Sequence, residues 1–172
     1  MRKALEASQL DLVWDYTGTA LIVYFHLEEK LTGMKSYQKI RSLDEKNNFI
    51  WLAPSLVDNG YALTMQRAVA NREGIVTIDD LSKSLKKQKQ KFPRKSHIFA
   101  LDYEFAYRPD GYKPLQKSYD LSFDKRELKP MDPGLVYTAL KNGQVLVGLT
   151  FTSDGRLKGF DLVSLEDNRG YF

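Results

Sequence analysis

Short apolar runs, each followed by apolar positions at helical spacing, repeat along the chain. "LDLVW" at 10–14 reads as a strand, and the Thr17-Gly18-Thr19 turn behind it opens a helix expected to run to about Glu28. "SYQKIRSLDEK" at 36–46 has the spacing of a polar amphipathic helix, and "NFIWLAP" at 48–54 reads as a strand that Pro54 ends. "YALTMQ" at 61–66 is a further strand, followed by the short helix "AVANRE". Thr77 with Asp80 three residues on is a capping signature, so a helix is predicted from there into the lysine-rich run. "SHIFALD" at 96–102 is the next strand. "DGYKPLQKSYDL" at 110–121 carries Pro114 in the first turn of a predicted helix. "DPGLVYTALKNG" at 132–143 has Pro133 near its start, Leu135, Ala139 and Leu140 on one face, and Gly143 as C-cap. "QVLVGLTF" at 144–151 and "FDLVSLED" at 160–167 close the series as strands. Strands separated by helices predict an α/β fold with a mostly parallel sheet. In such sheets ligands bind beyond the carboxyl ends of strands, where "DYTGT" and "TFTSDG" fall.

Composition narrows the class of protein. With 42% apolar and 12% aromatic residues, the 172-residue chain can bury a core. No apolar run approaches the roughly 18 residues of a membrane span. Cysteine is absent, which excludes thiol catalysis, disulfides and cysteine-rich metal sites. The net charge of +4 comes in good part from "KSLKKQKQKFPRK" at 83–95, with seven basic residues and no acid. Such a run can grip phosphates, and its ordinary reading is a solvated helix face running into a loop at Pro93. No nucleic-acid motif or stacking platform accompanies it, so no nucleic-acid partner is expected.

Catalytic chemistry finds little support. His26 and His97 lack acidic or serine partners at recognisable spacing. Neither a phosphate loop nor a GxSxG elbow occurs. Asp79–Asp80 and Glu166–Asp167 fit helix starts and strand ends better than a metal site. The expectation is a protein that is no enzyme and holds no cofactor or metal. Aromatic residues at strand-end loops are more suggestive: Tyr16, Tyr61 after the turn "VDNG", and Phe151. Core packing is the ordinary use of such rings. A box of rings is also the one device that recognises a trimethylammonium group, which has no hydrogen-bond donor.

The stretches "YTGTALI", "WLAP…DNGYALTM", "DGYKPLQKSYDL" and "MDPGLVYTALKNGQVLVGLTFTSDGRLKGFDLVSLED" resemble, in order from about Ala4 to Phe172, the osmoprotectant-binding proteins of ABC importers. The resemblance implies capture of glycine betaine, carnitine, choline or a related quaternary amine outside the cytoplasmic membrane, and delivery to ABC permease subunits. It implies a type II periplasmic-binding-protein fold, two α/β lobes with a cleft between them. Tyr16, Tyr61 and Phe151 fall where the family places rings of its ligand cage, with Asn59 in the loop before Tyr61. Phe151 stands where the family usually has tyrosine, which keeps a π face and removes a hydroxyl. Thr19 and the free N–H groups of the helix start would meet the ligand's carboxylate, with Thr17 as the cap and Gly18 allowing a close turn.

Family members begin with a leader and a first strand–helix segment and continue into a Pro-Pro-Tyr stretch, so the sequence reads as an internal piece. Residues 1–60 would form part of an incomplete lobe one, 61–160 lobe two, and 161–172 the start of a return to lobe one. Uncovered edges of such a piece make a dimer or domain swap an expected assembly. Three classes of function remain at this point. The first is a quaternary-amine binding module. The second is a truncated or degenerate module that mediates interactions without binding ligand. The third is nucleic-acid or anionic-surface binding through residues 83–95.

Overall fold

The computed structural model describes residues 1–27, 31, 33–94 and 97–172, and the chain divides into two compact units, Met1–Leu56 and Val57–Phe172. Glu28, where the first long helix was expected to end, lies outside the described residues, as do Lys95 and Ser96.

In the first unit, α1 (Arg2–Glu6) precedes an extended segment, and α2 (Thr17–Thr19) is one turn that widens into a π-helical turn over Ala20–Tyr24. α3 (Gly33–Asp44) then ends in a 3-10 turn at Glu45–Asn47. Ala20, Leu21 and Ile40 are its buried apolar centre. The expected strands at 10–14 and 48–54 are not formed. A strand needs a ladder partner, and neither segment has one among the described residues. Residues 48–54 are instead fastened by side chains. The Trp51 indole donates to Asp44 at 2.7 Å, and the Tyr37 hydroxyl donates to the Trp51 carbonyl at 3.4 Å. Asp44 also pairs with the Arg2 guanidinium, which lies 4.8–5.4 Å from the ring centres of Tyr24, Phe25 and Phe49. Burial alone would raise the Asp44 carboxyl, but hydrogen bonds from Arg2, Trp51 and Asn47 hold it below its usual range.

The second unit is built on one sheet of five strands: β1 (Tyr61–Gln66), β2 (Phe99–Leu101), β3 (Leu128–Pro130), β4 (Val147–Phe151) and β5 (Leu162–Ser164), in the order β3-β2-β4-β1-β5. β2 is parallel to β3 and β4, while β1 runs antiparallel to both β4 and β5. The sheet is therefore mixed rather than mostly parallel by pairing, with β1 alone reversed. Side chains alternate between the faces. Leu63, Met65, Phe99, Leu101, Val147 and Leu149 enter a core with α5 (Ile78–Lys91), α6 (Tyr103–Tyr107) and α7 (Tyr112–Tyr119). Ala100 and Leu162 face α8 (Pro133–Lys141), which supplies Val136, Tyr137, Ala139 and Leu140. α8 rides close to the sheet at Gly148, where a Cβ would come within 2.6 Å of the Val136 side chain. Two shorter helices, α4 (Arg67–Glu73) and α9 (Arg156–Gly159), complete the unit.

Local signals explain most of these boundaries. The Thr77 hydroxyl accepts from the Asp80 N–H at 3.1 Å and Asp80 accepts from the Thr77 N–H at 3.0 Å, so the capping box is formed. Asp132 caps α8 with Pro133 as the first helical residue. Asn142 is the C-cap there, and Gly143 follows it in the left-handed region at φ +66°. Leu135, expected on the buried face of α8, is exposed, and Val136 takes that place. Residues 161–172 belong to the second unit: β5 pairs with β1, and Tyr171 packs against the larger core. Among the described residues no helix is long and apolar enough to cross a membrane.

Candidate functional site

Because β1 runs against β4, its first residue stands beside the last residue of β4. Tyr61 is thus the register partner of Phe151, and their rings stack with centres 5.1 Å apart and planes 26° from parallel. Neither inner face is open to a ligand, so any contact is through the outer faces of these two half-buried rings. Two interactions tie the adjoining loops together. The Thr152 N–H donates to the Gly60 carbonyl at 3.0 Å, and the Ser153 hydroxyl lies 2.6 Å from Asn59 Oδ1, to which it donates. Asn59 therefore joins the loops that carry the two rings.

Three rings that the sequence reading gave no role extend this wall. Phe105, in α6, lies 5.0 Å from Tyr61 at 60°. Phe172 lies 6.1 Å from Phe105, and Tyr171 stands perpendicular to Phe172 at 5.4 Å. The Tyr171 hydroxyl donates to the carbonyls of Asp110 and Gly111 at 2.8 and 2.9 Å. A signal for Phe105 was present: the strand "SHIFALD" ends just before it, at the same sheet end as "TFTSDG". Burial, with help from the Asp102 and Glu104 carboxylates, pushes the Tyr61 phenol well above its ordinary range, so it stays neutral.

The end of β4 is held from below. The Phe151 N–H donates to the Tyr137 hydroxyl at 2.9 Å, and the Arg156 guanidinium lies 3.9 Å from the centre of the Tyr137 ring. Arg156 is clamped by Asp154 at 2.6 and 3.0 Å, and these hydrogen bonds pull the Asp154 carboxyl down to about 2 from an ordinary 3.8. A carboxyl depressed in the folded state contributes stability that is complete above its unfolded value and is lost as pH falls through the folded one. The urea midpoint of the parent chain is therefore expected to exceed that of Asp154→Asn by a constant amount above about pH 5. The gap should narrow below about pH 4, and a gap that widened in acid would contradict the assignment.

Tyr16 and Thr19 lie in the first unit. Tyr16 is the extended N-cap residue of α2; its N–H donates to its neighbour Asp15 at 2.8 Å, and its ring is partly exposed. Thr17, expected as the cap, is instead the first helical residue, and no side-chain cap bond forms. Thr19 ends the same turn.

The other singled-out groups are used by the fold. The His97 N–H donates to Glu127 at 2.8 Å, and its ring meets Gln88 at 2.8 Å. Within the basic run, Lys86 pairs with Asp120, and Lys89 bridges Asp124 and Glu127 at 2.9 and 2.6 Å. Two of its charges are thus matched by the protein's own carboxylates. Asp79 receives Asn168 and Arg169, while Asp167 receives the Tyr119 hydroxyl. Among the described residues no group of acids and histidines is placed to hold a metal.

Comparison with known proteins gives the family and the fold. The chain is 48% identical over 171 residues to a glycine-betaine-binding protein of Pseudomonas aeruginosa, covering 99% of this chain and 55% of that protein. It is 31% identical to the ergothioneine transport permease/ergothioneine binding protein EgtU of Helicobacter pylori, covering 98% of this chain and 28% of the other. A solved structure of a glycine betaine/carnitine/choline ABC transporter protein superposes with a TM-score of 0.69 at 24% identity, covering 99% of this chain and 60% of that one. That likeness shows the periplasmic-binding-protein fold. The chain spans about half the length of the Pseudomonas protein and less of the Helicobacter one. Residues 1–172 match throughout a family of binding domains, not enzymes, and the chain belongs to it: OpuAC, the substrate binding domain of ABC-type glycine betaine transport systems.

Proposed function

We propose that this chain captures a trimethylammonium osmoprotectant, glycine betaine foremost, outside the cytoplasmic membrane and passes it to the permease subunits of an ABC importer. The observation that carries the reading is the stacked pair Tyr61–Phe151 at the end of the sheet, backed by the buried Phe105, beside which Phe172 lies. Glycine betaine, ergothioneine, carnitine and choline differ in most of their atoms but share a trimethylammonium group. Ring faces are what such a group can use, at about 0.5–2 kcal/mol per ring according to how dry the contact is. In the second unit Tyr61 and Phe151 take the cation, and Asn59 sets the separation of the loops that bear them. Taken by itself, the first unit offers chemistry of the same kind: Tyr16 is a ring for a trimethylammonium group, and Thr19, at a helix start, is a donor for a carboxylate.

Calorimetric titration of the 172-residue chain with glycine betaine, choline, carnitine and ergothioneine at low and high salt tests the reading. Saturable binding of glycine betaine is expected, with an affinity that salt changes by less than about twofold, because ring–cation contacts that exclude water are weakly screened. Binding through the lysine run would instead collapse as salt rises. Absence of heat with all four ligands would overturn the proposal in favour of an interaction module.

A further inference from the structure

Asp102 directly follows β2 at the end of the sheet where β4 ends and β1 begins, and it stands directly before the helix that carries Phe105. Its Oδ1 accepts the Phe105 N–H at 2.7 Å as the N-cap of α6, so the carboxylate is fixed at the backbone of the residue whose ring packs on Tyr61. The residue is only 7% exposed. Among the described residues no lysine, arginine or histidine pairs with it. Its charged neighbours are engaged with one another: Arg108 is clamped by Asp110 at 2.5 and 3.0 Å and reaches Glu104 at 3.4 Å.

A cap alone does not explain a charge in that place. Asparagine and serine cap a helix about as well as aspartate. Burying a carboxylate without a cationic partner costs stability that a neutral cap would spare. Held at the Phe105 N–H, and with the Phe105 ring 5.0 Å from that of Tyr61, the Asp102 charge lies one residue away from the aromatic wall. In keeping with this, Asp102 and Glu104 add to burial in raising the Tyr61 phenol, and Arg108 acts in the opposite sense. A fixed negative charge near rings adds to the negative potential of their faces, where a cation is held.

We infer that Asp102 is a specificity-determining residue of the aromatic wall, whose buried charge favours ligands with a quaternary cation, and favours choline more than zwitterionic glycine betaine. The inference rests on the trimethylammonium reading above. Glycine betaine gains less because its carboxylate is repelled by the same charge that attracts its ammonium group. Asp102 touches no ligand in this account and acts through the rings.

Asp102→Asn keeps a capping side chain and removes the charge, so it separates the two roles. The parent and variant are titrated with choline, with glycine betaine, and with the uncharged carbon isostere of choline in which a tert-butyl group replaces trimethylammonium. Choline is expected to weaken about tenfold, glycine betaine about threefold or less, and the isostere not at all. The thermal midpoint of Asp102→Asn should equal or exceed the parent's, because a buried unpaired charge has been removed. Equal losses for all three ligands, no change for choline, or a midpoint several degrees lower would each overturn the inference while the aromatic reading stood. A parent chain that bound neither choline nor glycine betaine would overturn the aromatic reading, and this inference with it.

Discussion

Gly111→Ala is expected to destabilise the second unit by on the order of 3 kcal/mol or more, lowering its thermal midpoint by about 10 °C or more. A Cβ at this position would lie 2.0 Å from the Phe105 carbonyl oxygen, 2.9 Å from the Arg108 side chain and 3.0 Å from the Arg108 carbonyl. Backbone oxygen cannot move aside as a rotamer can. Relief requires the end of α6 and the start of α7 to separate, and that movement loosens what the turn supports. The Asp110 and Gly111 carbonyls receive the Tyr171 hydroxyl, and Phe105 packs on Tyr61. Ligand affinity should therefore fall together with stability. Gly155→Ala is the matched control, since a Cβ there meets nothing within 4 Å and the backbone is already helical at φ −61° and ψ −19°. It should be neutral or slightly stabilising. Differential scanning of both variants decides the matter: equal midpoints would refute the steric argument.

Legibility from sequence followed how local each signal was. Thr77 with Asp80, and Asp132 with Pro133, act within one turn of backbone, and both helices begin where those residues stand. β1 and β4 were visible as apolar runs because both faces of the sheet are covered. The segments at 10–14 and 48–54 show the limit of that logic. Their patterns suit a strand, but a strand is a pairing, and apolar alternation does not say whether a partner is present. Trp51 instead spends its indole N–H on Asp44 in the adjacent helix, a tertiary contact that no window of sequence reveals. Leu135 failed differently. Helical spacing put it near Ala139, but α8 meets the sheet through Val136 and Leu140 over Gly148, which rotates Leu135 to the outside.

The candidate site divides the same way. Tyr61 and Phe151 were identifiable separately, as rings at strand ends. Their stacking depends on β1 running against β4, and that reversal is a property of the sheet rather than of either segment. In the sequence Asp102 closed a run read as a strand and Phe105 had no reading, whereas in the structure they begin α6. Their relation to Tyr61 arises only because β2 and β1 both flank β4. Non-local pairing turned three unremarkable stretches into one wall.

Tyr61→Leu should reduce affinity for glycine betaine and choline alike by about tenfold or somewhat more, the equivalent of losing one ring from a desolvated contact at about 1–2 kcal/mol. Leucine keeps apolar bulk against Phe105 and Phe151, so the fold should survive with a modest drop in midpoint, and the variant separates the π face from mere packing. The two ligands should lose equally because they share the group that meets the ring. Tyr61→Phe is the companion change. It keeps the stack and removes only a hydroxyl that burial already holds neutral, so affinity for both ligands should stay within about threefold of the parent. Titration calorimetry on the parent and both variants, with urea unfolding alongside, distinguishes the possibilities. Unchanged affinity in Tyr61→Leu would mean that the stacked pair is core and that the cation is held elsewhere. Loss in Tyr61→Phe equal to that in Tyr61→Leu would shift recognition from the ring face to the phenol oxygen, which a trimethylammonium group, having no N–H, meets only through its methyl C–H groups.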